Sequence, residues 1–557
     1  MATAMVASTV SLIWPPPQSL AMSGPPIALS YDLKLVTSTQ NSSPRYDRIR
    51  SRYLTLLTTA AAAAIPSSPV APQLRTVHVS LTSDDERLNA RTCYNYSLLI
   101  SSSSANISAC SIYGVQYALE GLVQLSSASH DGWLPHDHIA VHDAPQYPWR
   151  GLMIDSGRRF FPVPLVENLL NTMAAVKLNV LHLHASDFCR WSVESKLYPN
   201  LTANLTGVRA GHYTQADVRH LVAYAADRAV RIVPEFDMPG HSRSLLPLEG
   251  NDAIHFCTDA SNRSQLYDDP GLKTYSTVHA LMKEMASLFP DDVFHIGCDE
   301  TKVTGRCALN STFDFERRLA TAVEGDFGKV VEGWEELLFD AGAATTSAIV
   351  NAWASHRPPE ITKTGRQAVE SWADHFYFTD PAPGGPAGWA RCWYDIASGV
   401  PSREAHLLLG GEMSMWSDTY CHTAQCGART NHPDAPVGAA LFAPSQDAEF
   451  AESIGGMSNE RGLLQPVTRL SPPTRLPFSA GLMHVPSCAD AVWPRGYVGA
   501  AAFWNWNASA DPHSVAFERA IWRLNDQLIR RGSKSCPSHC SCNQLTACGN
   551  PYIPPAA

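Results

Sequence analysis

The stretch Val293-Phe-His-Ile-Gly297-Cys-Asp-Glu-Thr301 is an apolar run that ends in two adjacent carboxylates, Asp299 and Glu300. An uninterrupted apolar run of this length reads as a strand buried on both faces. Seven more runs share the form, and all eight fall at residues 151–155, 179–184, 230–236, 293–297, 329–334, 348–353, 367–372 and 407–416. Amphipathic helical stretches separate them, the alternation expected of parallel strands joined by helical crossovers. Eight such strands predict a closed (β/α)8 TIM barrel.

Nearly every run stops at polar or aromatic residues: Asp155 and Arg158, His184 and Asp187, Glu235 and Asp237, Asp299 and Glu300, Trp334, Trp353, Trp372 and Tyr377, and Glu412, Trp416 and Asp418. The C-terminal ends of barrel strands carry the active site in this architecture. Ahead of the barrel, alternating runs at 74–81 and 96–100 and a helical stretch at 115–125 predict a small α+β domain. The Ala/Ser-rich segment 58–68 reads as a surface insertion within it. The expected fold class is therefore α/β, with an N-terminal α+β domain (1–145), a catalytic barrel (146–515) and a C-terminal helix with a Cys-rich tail (516–557). A Pro/Gly/Ala-rich insertion occupies about residues 419–490; a loop of that length is an elaboration of the barrel.

Composition narrows the function. The chain has 557 residues, 45% hydrophobic and 17% charged, enough apolar material for a large core. A net charge of −10 without a long basic run argues against nucleic acid or anionic membrane as the main partner. The longest apolar blocks are too short to span a bilayer. Residues 4–13 form a short apolar stretch that lacks a basic leader, so a signal peptide is not clearly present. Passage through the secretory pathway is nevertheless expected, to a lysosome or vacuole or to the exterior. Asn-x-Ser/Thr acceptors occur at Asn41, Asn95, Asn106, Asn200, Asn204, Asn262, Asn310 and Asn507. Four of the fourteen cysteines, Cys536, Cys540, Cys542 and Cys548, crowd the tail in a pattern that suits disulfides better than zinc.

Asp299 and Glu300 are the candidate catalytic pair, because glycoside hydrolysis needs an acid and an anionic partner. Adjacent residues of a regular strand face opposite ways, so both reach one substrate only if the chain bends at Gly297-Cys298. Convergence would keep one carboxyl protonated and the other ionised. The competing reading makes Asp299 the N-cap of the next helix. Trp334, Trp353, Trp372, Trp416, Trp504 and Trp506, placed at or near strand ends, favour a sugar pocket, although each alone is explicable as packing.

Four motifs, Arg150-Gly-Leu-Met-Ile-Asp-Ser-Gly-Arg158, Asn179-Val-Leu-His-Leu-His184, Pro234-Glu-Phe-Asp-Met-Pro-Gly-His241 and His295-Ile-Gly-Cys-Asp-Glu300, resemble glycoside hydrolase family 20, the β-N-acetylhexosaminidases. The resemblance runs from Trp14-Pro-Pro-Pro-Gln18 to Trp493-Pro-Arg495 and Trp504. It implies a retaining, substrate-assisted reaction on terminal N-acetylglucosamine or N-acetylgalactosamine, in which the sugar's own acetamido oxygen is the nucleophile. In that scheme Glu300 is the acid and base, Asp299 orients the acetamido N–H, and Tyr377 meets the acetamido oxygen. Arg158 and Asp418 would hold sugar hydroxyls, and Trp334, Trp353 and Trp416 would wall the pocket. Asp155, Asp187, Glu235, His241 and His295 would support the pair. The resemblance also implies a Cys257–Cys307 disulfide and a possible homodimer, and no cofactor or metal; Cys93 with Cys110 is a further pairing.

This chain departs from the family pattern at several positions. Phe188 replaces a second aspartate, and Cys298 replaces a glycine and is expected to crowd the pocket. Thr379 or Asp380 stands for an aspartate beyond Tyr377, and Ala501-Ala502 stand for Glu-Arg near the strand that closes the barrel. Two other functions remain open from the residues alone. A metal-dependent amidohydrolase would use His182, His184, Asp187, His241 and His295 as ligands. A non-catalytic glycan-binding protein would use the same aromatic pocket.

Overall fold

The computed structural model describes residues 11–38, 43–63, 72–127, 132–203, 205, 211–249, 252–257, 264–301, 307–378, 390–417, 492–493 and 495–533. Asp418, the 419–490 insertion, Thr379, Asp380 and the Cys-rich tail lie outside the described residues.

A seven-stranded sheet comes first: β1 (Ser19–Ser23), β2 (Ile27–Thr37), β3 (Gln73–Leu81), β4 (Tyr96–Ser101), β5 (Ser104–Ala109), β6 (Trp133–Leu134) and β7 (His138–Asp143), in the order β1-β7-β4-β5-β3-β2-β6. Burial alternates along its strands, as in β5, where Ala105, Ile107 and Ala109 point inward and Asn106 and Ser108 outward. The helices Pro44–Ala63 and Ile112–Ser126 share one core with the inward residues, through Tyr53, Leu57, Tyr113 and Tyr117. This corrects, over 58–63, the surface insertion expected at 58–68, whose remaining residues lie outside the described ones. Residues 58–63 are the last turns of the first helix, with Ala61 buried. Alanine is the strongest helix former, and a run of it extends a helix that already has a docked face.

The eight remaining strands are β8 (Trp149–Asp155), β9 (Val180–His184), β10 (Arg231–Glu235), β11 (Val293–His295), β12 (Val330–Trp334), β13 (Ile349–Ala352), β14 (Gln367–Glu370) and β15 (Leu408–Met415). They form a closed parallel barrel, β15 pairing with β8 from Gly410–Trp149 to Met415–Ile154. The barrel is the (β/α)8 architecture read from the sequence. Inward side chains stack in layers. Trp149, Val180, Val233, Val293, Ile349, Val369 and Leu409 seal the floor, and Met153 with the rings of Trp334 and Trp416 forms an upper layer. The apolar floor leaves the opposite end as the face where polar side chains gather.

Trp504 does not stand at a strand end, contrary to expectation. It lies on the helix Arg495–Asn505, fully buried, with its indole N–H donating to Asp143 at 2.9 Å and the Lys177 ammonium 4.3 Å from its ring. Lys177 in turn meets Asp143 at 2.5 Å, so this cluster ties β7 to the barrel. Ala501 and Ala502 lie on the same helix, which packs against the closing strand, and are fully buried. The helix approaches β15 so closely that a Cβ on Gly411 would lie 2.3 Å from the Phe503 ring. Trp506, beyond the helix, is only partly buried.

Cys93–Cys110 and Cys257–Cys307 are disulfides, the pairings expected. The asparagines of four acceptor sequences, Asn95, Asn106, Asn200 and Asn507, are exposed. Among the described residues no helix is long and apolar enough to cross a membrane.

Candidate active site

The site is built on the bend after β11. Gly297 and Cys298 both have positive φ, 73° and 75°, which turns the chain out of the strand. Gly297 has no alternative, since a Cβ there would lie 1.7 Å from Asp237 Oδ1. The Gly297 N–H donates to His295 Nδ1 at 3.0 Å and ties the bend to the strand end. Asp299 and Glu300 then face one imidazole: His241 Nε2 lies 3.8 Å from Asp299 Oδ2 and 3.3 Å from Glu300 Oε2. The bend predicted at Gly297-Cys298 is present and the two carboxylates converge. Asp299 does not cap the next described helix, Leu309–Gly325, whose N-cap is Ala308. Cys298 does not crowd the site either, because its side chain packs in the main hydrophobic core, apart from the aromatic layer above the barrel.

A chain of buried ionic contacts runs behind the pair. His241 Nδ1 lies 3.4 Å from Asp187, whose Oδ2 also meets His184 Nε2 at 2.9 Å and Arg158 Nη2 at 2.8 Å. The other ring nitrogen of His184 is bonded to Glu235. Glu235 also lies 3.2 Å from His295 Nδ1 and accepts the Trp334 indole N–H at 2.9 Å. Asp155 holds Arg158 from the other side at 3.0 Å and accepts the Ser417 N–H at 3.1 Å. Two carboxylates therefore fix one guanidinium, which lies 5.0 Å from the Trp416 ring. All five expected supporting residues, Asp155, Asp187, Glu235, His241 and His295, thus lie in one connected cluster.

Trp334, Trp416, Trp353 and Tyr377 form an aromatic cup over this network. Trp334 and Trp416 lie 5.8 Å apart by ring centre, and Trp353 and Tyr377 are parallel within 7° at 6.0 Å. Tyr377 and Trp416 stand 6.0 Å apart. Trp372 stays outside the cup, with the Arg357 guanidinium 4.2 Å from its ring.

Charge is distributed unevenly across the cluster. Burial opposes ionisation of Glu235, yet the charges and hydrogen bonds of His184, His295 and His182 hold it well below the usual carboxylate range. Burial likewise opposes a charged His182, but Glu412 and Glu235 outweigh it and raise the imidazole to about 10. Burial drives Asp237 well up, helped by the Asp299 charge. Asp299 is raised by burial and by the nearby Glu235 and Glu300 charges. Glu300 is lowered, first by its hydrogen bond to His241. The pair is therefore split, as two converging carboxyls must be. In the unliganded site it is split with the proton favouring Asp299, the opposite of the order in which Glu300 serves as acid.

Three residues in this network carried no role in the sequence reading: Asp237, Glu412, which holds His182 Nδ1 at 2.7 Å, and Glu336. Asp237 and Glu336 follow barrel strands and Glu412 lies within β15, and that position was the only signal available. His182–Glu235–His295, His184–Asp187–Asp237 and Asp237–His241–Asp299 each bring three ligand-type atoms within 4.8 Å of one another. Within these groups the imidazoles already face carboxylates at hydrogen-bonding distance, as His184 does on both nitrogens. Such pairing suits proton sharing and ring orientation.

Paired carboxyls beneath aromatic walls, at the C-terminal mouth of a parallel barrel, suit cleavage of a glycosidic bond, and the protein is by class a glycoside hydrolase. The description "Glycosyl hydrolase family 20, catalytic domain" matches residues 147–430, slightly more than half of the chain, and "beta-acetyl hexosaminidase like" matches residues 13–125. The chain belongs to glycosyl hydrolase family 20. It is 29% identical over 380 residues to beta-hexosaminidase subunit A1 of Dictyostelium discoideum, covering 63% of this chain and 70% of that one. To beta-hexosaminidase subunit beta of Mus musculus it is 27% identical over 382 residues, 62% of this chain and 69% of that one. The solved GH20 β-N-acetylhexosaminidase of Streptomyces coelicolor A3(2) shares the fold with a TM-score of 0.67 at 21% identity, over 96% of this chain and 98% of that one.

Proposed function

We propose that the protein removes terminal, non-reducing β-linked N-acetylglucosamine or N-acetylgalactosamine from glycans, with retention of configuration and with the substrate's acetamido oxygen as nucleophile. The observation that carries this reading is the bend at Gly297-Cys298, which delivers Asp299 and Glu300 together beneath the aromatic cup. Adjacent carboxylates suit an arrangement in which one acts on the leaving oxygen and the other on the sugar's own substituent. Glu300 gives its proton to the departing oxygen and then takes one from water. Asp299 accepts the acetamido N–H and offsets the positive charge of the cyclic intermediate. Tyr377 donates to the acetamido oxygen and aims it at the anomeric carbon. Arg158, immobilised by Asp155 and Asp187, binds ring hydroxyls, a contact that Asp418 would share.

Substrate corrects the proton order. The Glu300 side chain is 38% exposed in the unliganded site. A sugar and its aglycone cover it, and burial favours the protonated carboxyl. His241 works against this as long as it is charged, which makes it a control on the pH profile. The alkaline limb of kcat/KM reports ionisation of Glu300 in the free enzyme. His241→Gln removes the charge that lowers Glu300, so that limb is expected to move to higher pH even as the maximal rate falls. An alkaline limb that stays in place or moves down would show that His241 does not set the Glu300 proton.

The exposed acceptor asparagines and the disulfides support work in the secretory pathway, in a lysosome or vacuole or outside the cell. The direct test uses chromogenic β-N-acetylglucosaminide, its galactosaminide epimer, and the β-glucoside that lacks the acetamido group. Release from either of the first two and not from the third is expected. Binding of N-acetylglucosamine with no release from any of them would make the protein a glycan-binding member of the fold.

A further inference from the structure

Two consecutive glutamates, Glu335 and Glu336, follow Trp334 at the end of β12, and the chemistry above uses neither. Glu335 accepts the backbone N–H groups of Trp353, Ala354, Ser355 and His356 at 2.6 to 3.3 Å, which fixes the path of the chain beyond β13. Glu336 Oε2 accepts the indole N–H of Trp353 at 3.1 Å, which fixes the ring. That ring lies parallel to Tyr377 and meets Trp334 nearly edge-on, at 6.5 Å and 71°. The backbone and side chain of one wall of the cup are therefore gripped from a single turn.

We propose that Glu336 is a positioning residue for the acetamido group of the substrate: by holding the Trp353 indole it keeps Tyr377 aligned opposite Asp299. The inference rests on the hexosaminidase reading, in which Tyr377 and Asp299 grip the two ends of the acetamide. An internal nucleophile reacts only from a narrow range of positions, and a displacement of about 1 Å costs on the order of 100-fold in rate. A wall that merely excludes water would not need its ring fixed by a carboxyl. Loss of Glu336 leaves the indole N–H without its acceptor and lets the stacked pair shift.

The carboxyl also senses its surroundings. Burial first, and then the Asp299 charge, push Glu336 up to about 8. Asp299 faces it from the β11 bend, Glu316 from the helix Leu309–Gly325, Tyr377 from beyond β14 and the Cys298 thiol from the bend itself, with Glu335 beside it in the chain. In acid the group is neutral and adds no charge beside Asp299. Above about pH 8 it ionises and sets a second negative charge beside Asp299 and Tyr377. Affinity for an N-acetyl sugar should weaken there, a change that does not pass through proton donation by Glu300.

The test compares the full chain with its Glu336→Gln and Glu336→Leu variants. It measures kcat and KM on a chromogenic N-acetylglucosaminide, the affinity for N-acetylglucosamine from acid to alkaline pH, and thermal unfolding. Leucine is expected to lower kcat by roughly tenfold or more, with a folded protein. Glutamine, whose amide oxygen still accepts from the indole, should recover most of that loss. In the glutamine variant the weakening of N-acetylglucosamine affinity above about pH 8 should be absent. Should leucine fail to fold, the glutamine pH profile decides alone. Wild-type kcat in a folded leucine variant, or the same alkaline weakening in wild type and the glutamine variant, overturns the proposal. A wild type that neither cleaves the substrate nor binds N-acetylglucosamine would instead sink the hexosaminidase reading and this inference with it.

Discussion

Glu300→Gln should lower kcat by about 10²–10⁴-fold, the range for removing a general acid and base. The size of the loss should depend on the leaving group. An aryl glycoside departs as a stabilised phenolate and needs little proton transfer, whereas an N-acetylglucosamine disaccharide departs as a poor alkoxide. The variant is expected to retain much more of its kcat/KM, the measure of bond breaking, on the aryl substrate than on the disaccharide. Steady-state kinetics on the two substrates would show it. Equal losses of kcat/KM, which reports bond breaking and not the later attack of water, would mean that Glu300 does something other than protonate the leaving oxygen. The side chain is 38% exposed and hydrogen-bonds His241 in the unliganded site, so its replacement should leave the fold intact.

Asp299→Asn carries the second large effect. The amide keeps the shape and an acceptor oxygen but loses the charge that offsets the cyclic cation, and a loss of about 10²–10³-fold is expected, as for removal of one electrostatic stabiliser. This loss should not depend on the leaving group, because ring closure by the acetamido oxygen is the step affected. A pH signature accompanies it. Asp299 is raised by burial and by Glu235 and Glu300, and it works only when ionised. Activity of the wild type should therefore fall as pH drops through the Asp299 value. The asparagine variant has nothing to protonate there and should lack that acid limb. An acid limb retained in the variant would assign it to another group, and Asp187 or Glu235 would be the next to examine.

The barrel was legible because its strands are buried on both faces and read as apolar runs, each stopped by polar or aromatic residues. The cup and its supporting carboxylates followed, since strand ends share one face of the barrel. Elements away from that logic were not legible. The alanines at 60–63 looked like a loop insertion until the length of the helix from Pro44 was counted with them. Trp504 looked like a pocket aromatic because tryptophan serves core and pocket equally; its helix, not a strand, takes it into the junction with Asp143 and Lys177. Cys298 looked obstructive because a sequence does not tell which way a residue turns at a positive φ. The order of protonation in the pair was hidden for a related reason, since it depends on His241, 58 or 59 positions away in the chain yet in contact with both acids. Glu336 was missed because a single acid after a strand carries no pattern, and its effect depends on the Trp353 ring it holds.

In the proposed reaction the substrate's acetamido oxygen is the nucleophile. The most direct measurement is kcat/KM on a series of chromogenic N-acylglucosaminides whose acyl group carries none, one, two or three fluorine atoms. Fluorine drains electron density from the carbonyl oxygen while barely changing its size. A steep, graded fall in rate with fluorination, surviving in Glu300→Gln on the aryl substrates, is the predicted result. A flat series would place the nucleophile on the protein or on water instead of on the substrate.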